Sequence, residues 1–204
     1  MAHNEVIKID LHNVDLFHEV NLHVPSRTIY FGGSPYTLDE VDSVSVAEVI
    51  KNLHLLEHLD PGRPITIHLN SCGGSWYDGI IIYDCIKALE SPVTIIGMGK
   101  CFSMGSIILQ AGDARVLMPH TYLMCHMGSD GYSGHSQDFI NWAEVSKRVN
   151  KEMMQIYYEQ MVKKNPKITV KQIEKMFDHD TVFNAEEAVK LGLADIIMDY
   201  VTKG

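Results

Sequence analysis

Ser103 stands where an apolar run gives way to small and aliphatic residues, in Gly97-Met98-Gly99-Lys100-Cys101-Phe102-Ser103-Met104-Gly105-Ser106. A serine at a strand-to-helix turn points its hydroxyl outward, and the free amides of the first helical turn favour negative charge developing beside it. That is the setting for acyl transfer. The segment matches only half of the nucleophile elbow G-x-S-x-G, because Cys101 takes the place of the first glycine, and a plain helix N-cap accounts for the same serine. Acyl transfer also needs backbone N–H groups close to a substrate carbonyl. Gly73-Gly74 would permit that approach, as would an ordinary left-handed turn between strand and helix. Eleven histidines are present, so residue type alone singles out no general base. A thiol is the rival nucleophile: Cys125 adjoins His126 but, in a strand, faces the other way, and Cys101 precedes the helix and lacks its amides.

Bringing these residues together requires particular elements. Thr28-Ile29-Tyr30-Phe31 reads as a strand stopped by Gly32-Gly33. From Ser43 onward, Val46, Ile50, Leu53, Leu56 and Leu59 recur at spacings of three and four, the buried stripe of an amphipathic helix ended by Pro61-Gly62. Residues 64–69 alternate as a strand, and 70–74 turn into a second helical pattern carried by Ile82, Cys85, Ile86 and Leu89. The unit repeats as a strand over 93–98, a tight connection over 99–102 and a helix over 103–110 closed by Gly112. Two successive strand-turn-helix units imply right-handed crossovers and a largely parallel sheet.

Strands at 116–118 and 122–125 follow, then a Gly- and Ser-rich stretch over 127–136. The spacing of Phe139, Trp142, Val145, Val149, Met153, Ile156 and Tyr157 predicts a helix over 137–163, far beyond the usual length of about 11–12 residues. Such a helix is expected to protrude and pack on another subunit. Asn184-x-x-Glu187 has the form of an N-cap with its reciprocal acid, Gly192 suits a helix C-terminus, and 194–201 reads as a closing strand. Residues 1–25 mix histidines with polar and apolar residues without a helical period, and read as an arm or loop poor in core residues.

At 204 residues the chain suits one globular domain. Its formal charge of −9 and lack of a basic stripe argue against nucleic-acid binding, which needs clustered Lys and Arg. Four cysteines without a C-x-x-C pair, and no apparent secretory signal, lead to the expectation of reduced thiols and a cytoplasmic location. No apolar stretch nears the roughly 20 residues of a membrane span.

The joint order of Asn70-Ser71-x-Gly73-Gly74, Met98-Gly99-x-x-x-Ser103-Met104-Gly105, His126, and Asp180-x-x-Phe183-x-Ala185-x-Glu187-Ala188 ending in Gly192-Leu193-x-Asp195 resembles the Clp protease proteolytic subunits over about residues 15–201. The resemblance implies an α/β fold: a Clp- and crotonase-like spiral of β-β-α units with a protruding handle segment near 127–163. Residues 1–25 would be an axial arm, and 26–204 a single peptidase domain. It further implies a self-compartmentalised serine endopeptidase acting on peptides and unfolded proteins, with Ser103 as nucleophile, His126 as base and Asp180 orienting the base. The oxyanion donors fall on the backbone N–H groups of Gly74 and Met104, with no metal or cofactor. Two stacked seven-membered rings of identical subunits and an AAA+ unfoldase partner complete the implied picture. Asp180 is preferred over its neighbour Asp178 for its spacing to Phe183 and Glu187.

Several positions depart from the family pattern. Cys72 replaces a proline, which should loosen the turn, and Phe102 replaces a small residue and is expected to pack beneath the elbow in preference to the other reading, that it reshapes the first substrate pocket. Met127-Gly128 replaces Gln-Pro where an extended substrate would add as a strand. His179 stands in place of an arginine that pairs between rings, so that pairing is expected to weaken as pH rises through the histidine range. Thr66 and His68 replace aromatic residues of the cleft that receives unfoldase loops, so weak or divergent docking is expected. Two other functions fit parts of the pattern: a non-catalytic subunit of a mixed ring, and a crotonase-type acyl-CoA enzyme.

Overall fold

The computed structural model describes residues 11–32, 39–128 and 131–200. Residues 1–10 of the expected arm, Gly33 at the expected strand stop and Val201 at the end of the expected closing strand lie outside them. In chain order the elements are α1 (Leu11–Val20), β1 (Leu22–His23), β2 (Thr28–Phe31), β3 (Glu40–Val41), α2 (Ser43–Leu59), β4 (Ile65–Ser71), β5 (Gly73–Gly74), α3 (Trp76–Ala88), β6 (Val93–Phe102), α4 (Met104–Leu109), β7 (Ala114–Leu117), β8 (Tyr122–Cys125), α5 (Ser136–Lys164), α6 (Val170–Met176), β9 (Thr181–Asn184), α7 (Ala185–Leu191) and β10 (Ile196–Ile197). The fold is mixed α/β, as the alternating strand and helix patterns predicted.

The described residues form an eight-stranded sheet in which β2, β4, β6, β7 and β10 run parallel as neighbours, with β8 also parallel to β6. β1 joins β2 antiparallel, and β9 joins β8 antiparallel. β3 and β5 make a separate parallel pair. Strand alternation sorts the side chains. Ile65, Ile67, Leu69 and Ser71 of β4, and Val93, Ile95, Gly97 and Cys101 of β6, are buried, while Thr66, His68 and Asn70 are only half covered. On the buried side α2, held at its start by an Asp42 capping box, contributes Val46, Val49, Leu53 and Leu56. Ile107, Ile108 and Leu109 of α4 complete this part of the core.

Two buried arginines tie the layers together. Arg27 donates to the backbone carbonyls of Leu56 at 2.7 Å and Arg63 at 3.0 Å; the Leu56 carbonyl also accepts from the Asp60 N–H at the end of α2, so the guanidinium ties that end to the turn after it. Arg115 donates to the Gln110 side chain at 2.8 Å and the Gly192 carbonyl at 3.0 Å, and pairs with the Asp195 carboxylate. Gln110 in turn donates to the carbonyls of Ser106 and Leu193 and accepts at its own carbonyl from Gln160. The short helix α4 is thereby fastened to α5, α7 and the end of the sheet.

Some boundaries differ from those expected. Residues 11–25 are not a plain loop: α1 and β1 form there, and Leu22 is fully buried against the sheet. The 99–102 connection is the second half of β6. Gly99, at φ 66°, bends the strand so that Thr94–Gly97 pair with β7 and Lys100–Phe102 with β8. Leu59 is exposed at the open end of α2. The closing strand is confined to Ile196–Ile197. β9 and α6 were not legible, although Thr169 and Gln172 form a capping box at the start of α6. The cap of α7 by Asn184 and Glu187 and the left-handed Gly192 are as read from sequence.

The predicted long helix is present as the 29-residue α5. Its second half is core, through Met153, Met154, Ile156, Tyr157 and Met161, whereas Phe139, Ile140 and Trp142 of its first half are exposed. No helix among the described residues is long and apolar enough to cross a membrane.

Candidate active site

Ser103 adopts φ 50°, ψ −119°, a conformation that a residue with a Cβ rarely takes and that costs of order 1–3 kcal/mol. The surroundings hold it there. Its N–H donates to the Met124 carbonyl at 2.8 Å, and its carbonyl accepts from the Ser106 N–H at 2.9 Å and the Ser106 hydroxyl at 2.7 Å. Behind Ser106 lies the buried Tyr157 hydroxyl, 2.6 Å away, with the Cys125 thiol also directed at the Ser106 oxygen. Burial raises the Tyr157 phenol well above its usual range, so it serves here as a neutral hydrogen-bonding group. Sequence patterning placed Tyr157 on the core stripe of α5 and gave no sign that it supports the elbow.

The Ser103 side chain makes no capping hydrogen bond to α4, which overturns the N-cap alternative. Its Oγ lies 2.7 Å from His126 Nε2. The register of β8 against β9 explains how the third residue arrives: Cys125 pairs with Thr181, so the antiparallel strands bring His126 and Asp180 side by side at their next positions. His126 Nδ1 is 3.0 Å from Asp180 Oδ1. The loop bearing Asp180 is pinned by the Met127 N–H donating to the Phe177 carbonyl at 2.7 Å and the Thr181 hydroxyl donating to the Met176 carbonyl at 2.7 Å. With a proton on Nδ1 directed at the carboxylate, Nε2 presents its lone pair to the serine hydroxyl. Asp178, the decoy, pairs instead with His179 of the same chain. His179 thus already has a carboxylate partner within its own subunit.

Gly74 and Met104 line the same cleft, of about 270 Å³, as Ser103 and His126. The close approach needs glycine at 73: at φ 94°, a Cβ there would lie 2.7 Å from both the Phe102 carbonyl oxygen and the Ser103 Cβ. Hydrogen bonds hold the turn that carries Cys72. The Cys72 N–H and the Ser71 hydroxyl both donate to the Asp39 carbonyl, at 2.9 and 2.8 Å, and the Gly73 N–H donates to Ser71 Oγ at 3.1 Å. Asp39 also pairs with Lys100 beside the loop. Trp76, Tyr77, Val149, Asn150 and Met153 complete the walls, none of which was singled out as a cleft residue from sequence. Gly128 is anchored by donating to Asn150 at 3.2 Å. Phe102 does not pack in the core beneath the elbow; it is half-buried and outside the cleft, because strand alternation turns it away from buried Cys101.

The thiol alternative fails on burial. Cys101 and Cys125 are both fully buried, their thiols pushed up by desolvation to about 12 and about 11. Alkylation of the folded protein at pH 8 is therefore expected to modify exposed Cys72 and spare Cys101 and Cys125, as read by peptide mass mapping. Carboxymethylated Cys101 or Cys125 in native protein would contradict this.

On the half-covered side of the sheet, His68 stacks on Tyr30 with centroids 4.7 Å apart and planes 6° from parallel, and its Nδ1 lies 3.3 Å from Met98 Sδ. Desolvation lowers its pKa. Thr66 and His68 thus do not leave this face without aromatic character, since Tyr30 supplies a second ring.

A family model described as Clp protease matches residues 28–201. The chain belongs to the Clp protease family. Among curated proteins, this Clp protease family member is 31% identical over 173 residues to the ATP-dependent Clp protease proteolytic subunit of Deinococcus radiodurans, covering 84% of this chain and 80% of that one. It is 36% identical over 165 residues to proteolytic subunit 1 of Protochlamydia amoebophila (79% and 78%). With proteolytic subunit 2 of Thermobifida fusca, identity is 30% over 199 residues (97% and 93%). The family match runs through the elbow, His126 and Asp180.

Proposed function

We propose that this protein is a serine endopeptidase that cleaves peptides and unfolded proteins. The observation that carries the reading is the contact series Ser103 Oγ–His126 Nε2–Asp180, at 2.7 and 3.0 Å, on a strained elbow beside a glycine loop. Ser103 Oγ attacks the scissile carbonyl carbon as Nε2 takes its proton. The tetrahedral oxyanion accepts from the N–H groups of Gly74 and Met104. Collapse breaks the C–N bond, and the departing amine takes the proton from His126, leaving an ester on Ser103. Water then enters by the same route, its proton passing to Nε2 and back to Ser103 as the acid leaves. No metal or cofactor enters these steps.

The relatives' names include ATP dependence, and the exposed half of α5 offers Phe139, Ile140 and Trp142 to a neighbour. The reading therefore extends to an assembly of identical subunits as two stacked seven-membered rings, with α5 as the handle between rings and the N-terminal residues at the axial pore. An AAA+ unfoldase would deliver folded substrates, docking weakly at the face bearing Thr66 and His68.

A fluorophosphonate probe tests the chemistry. It is expected to label Ser103, located by mass spectrometry, in protein that also hydrolyses a short fluorogenic peptide and shows ring particles by negative stain. Absence of both label and hydrolysis in intact rings would favour a non-catalytic subunit, and acyl-CoA turnover without labelling a crotonase-type enzyme.

A further inference from the structure

We infer that Tyr157 is a positioning residue of the oxyanion site, acting through the Ser106 hydroxyl and the Ser103 carbonyl on the backbone N–H of Met104. The proton count fixes the direction of these contacts. A carbonyl oxygen can only accept, so the Ser106 hydroxyl, 2.7 Å from the Ser103 carbonyl, commits its one proton there. The Tyr157 hydroxyl, 2.6 Å from the same Ser106 oxygen, must then be the donor of that pair. Burial keeps the phenol neutral and so able to donate. The serine oxygen has room besides for the weaker Cys125 thiol donor at 3.7 Å. Ser106, Cys125 and Tyr157 are all fully buried, so the chain of donors is closed to bulk water.

The Ser103 carbonyl and the Met104 N–H belong to one planar peptide unit and point in opposite directions. Met104 opens α4, so its N–H has no acceptor within the helix and faces out of the helix start. The carbonyl points into α4 and accepts from the Ser106 N–H at 2.9 Å as well. Holding the carbonyl fixes the plane, and with it the aim of the N–H, at a residue whose φ of 50° needs such anchoring. Each hydrogen bond into the carbonyl also draws electron density from the amide nitrogen, and a relay of this kind strengthens its members by about 10–30% per bond. On the peptidase reading above, on which this rests, that N–H binds the tetrahedral oxyanion. The Tyr157 ring has a separate task. It packs edge-on against Phe177 with centroids 5.0 Å apart, and the Phe177 carbonyl accepts the Met127 N–H beside His126. Tyr157→Phe therefore keeps the packing and removes the relay.

A peptide aldehyde labelled with carbon-13 at its carbonyl tests the assignment on the intact protein. Ser103 Oγ adds to the aldehyde carbon, the carbonyl electron pair moves to oxygen, and the serine proton passes to His126. The pH at which the resulting hemiacetal ionises, read from its NMR shift, reports oxyanion stabilisation. Removing an oxyanion donor outright costs about 10²–10³ in kcat, so weakening one in Tyr157→Phe is expected to lower kcat about tenfold, with KM within about twofold. The hemiacetal should ionise about one pH unit higher, the same tenfold seen at equilibrium. Ser106→Ala should do at least as much, and the double variant no more than Ser106→Ala, because the tyrosine acts through that hydroxyl. Circular dichroism shows which variants are folded, and Ser106→Ala carries the titration should Tyr157→Phe fail to fold. Ionisation at the wild-type pH, or a rise in KM at unchanged kcat, overturns the relay. Losses that multiply in the double variant overturn it too and make Tyr157 a packing residue alone. In each of these cases a wild-type protein that forms the hemiacetal and cleaves peptide leaves the peptidase reading standing. Wild-type protein that does neither sinks both.

Discussion

Replacing His126 by alanine is expected to lower kcat for a fluorogenic peptide by about 10⁴–10⁶-fold, Ser103→Ala to do the same, and the double variant to be no worse than either. On the proposed mechanism Ser103 and His126 act as one unit. An alcohol is a weak nucleophile at neutral pH, so Ser103 without a base is nearly inert, and His126 without Ser103 has nothing to deprotonate. At 2.7 Å the two are already in hydrogen-bond reach. Steady-state kinetics on the three variants, with circular dichroism to show that each is folded, checks this. Losses that multiply in the double variant would mean that the two residues work independently, which this geometry does not allow.

Glycine and capping patterns made much of this arrangement legible beforehand. Gly73-Gly74 marked the loop, the apolar-to-small transition marked the elbow, and Asn184, Glu187 and Gly192 bounded α7. The stripe of α5 located the long helix to within a residue at each end. The failures share a cause. β9, in which only Phe183 is buried, and β10 are too short for period-two alternation to stand out. β6 was cut at Gly99 because a glycine inside a strand pattern reads as a stop, and only its pairing with β8 reveals a bend instead. Likewise Leu22 becomes core through a two-residue strand paired with β2, a tertiary fact absent from local spacing.

The site divides in the same way. Ser103 lies on a recognisable local pattern, but His126 could be told from ten other histidines only by resemblance, because what distinguishes it is proximity to a strand more than fifty residues further along. Ser106 and Tyr157 could not be found at all. A serine in a small-residue helix and a tyrosine in an apolar stripe look like packing residues until the fold sets their hydroxyls 2.6 Å apart behind Ser103.

Asp180→Asn is expected to lower kcat by about 10²–10⁴-fold, while Asp178→Asn changes it little. On the proposed mechanism the Asp180 carboxylate accepts from Nδ1–H, which keeps that proton on Nδ1 and leaves Nε2 free to receive the serine proton. An asparagine can turn its amide N–H groups toward Nδ1, which favours the opposite tautomer and puts a proton where the lone pair is needed. The Asp180 side chain is 72% exposed, against 19% for His126. Water therefore screens much of its charge, and orientation of the ring accounts for more of its effect than field strength does. That places the loss toward the lower end of the range and makes it insensitive to added salt, whereas a field effect would deepen or fade with ionic strength. Asp178 interacts with His179 and does not touch His126, so its amide variant is the matched control. Measuring kcat for both variants at 0.05 and 0.5 M salt separates the two roles, and a comparable loss in Asp178→Asn would overturn the assignment of the orienting residue.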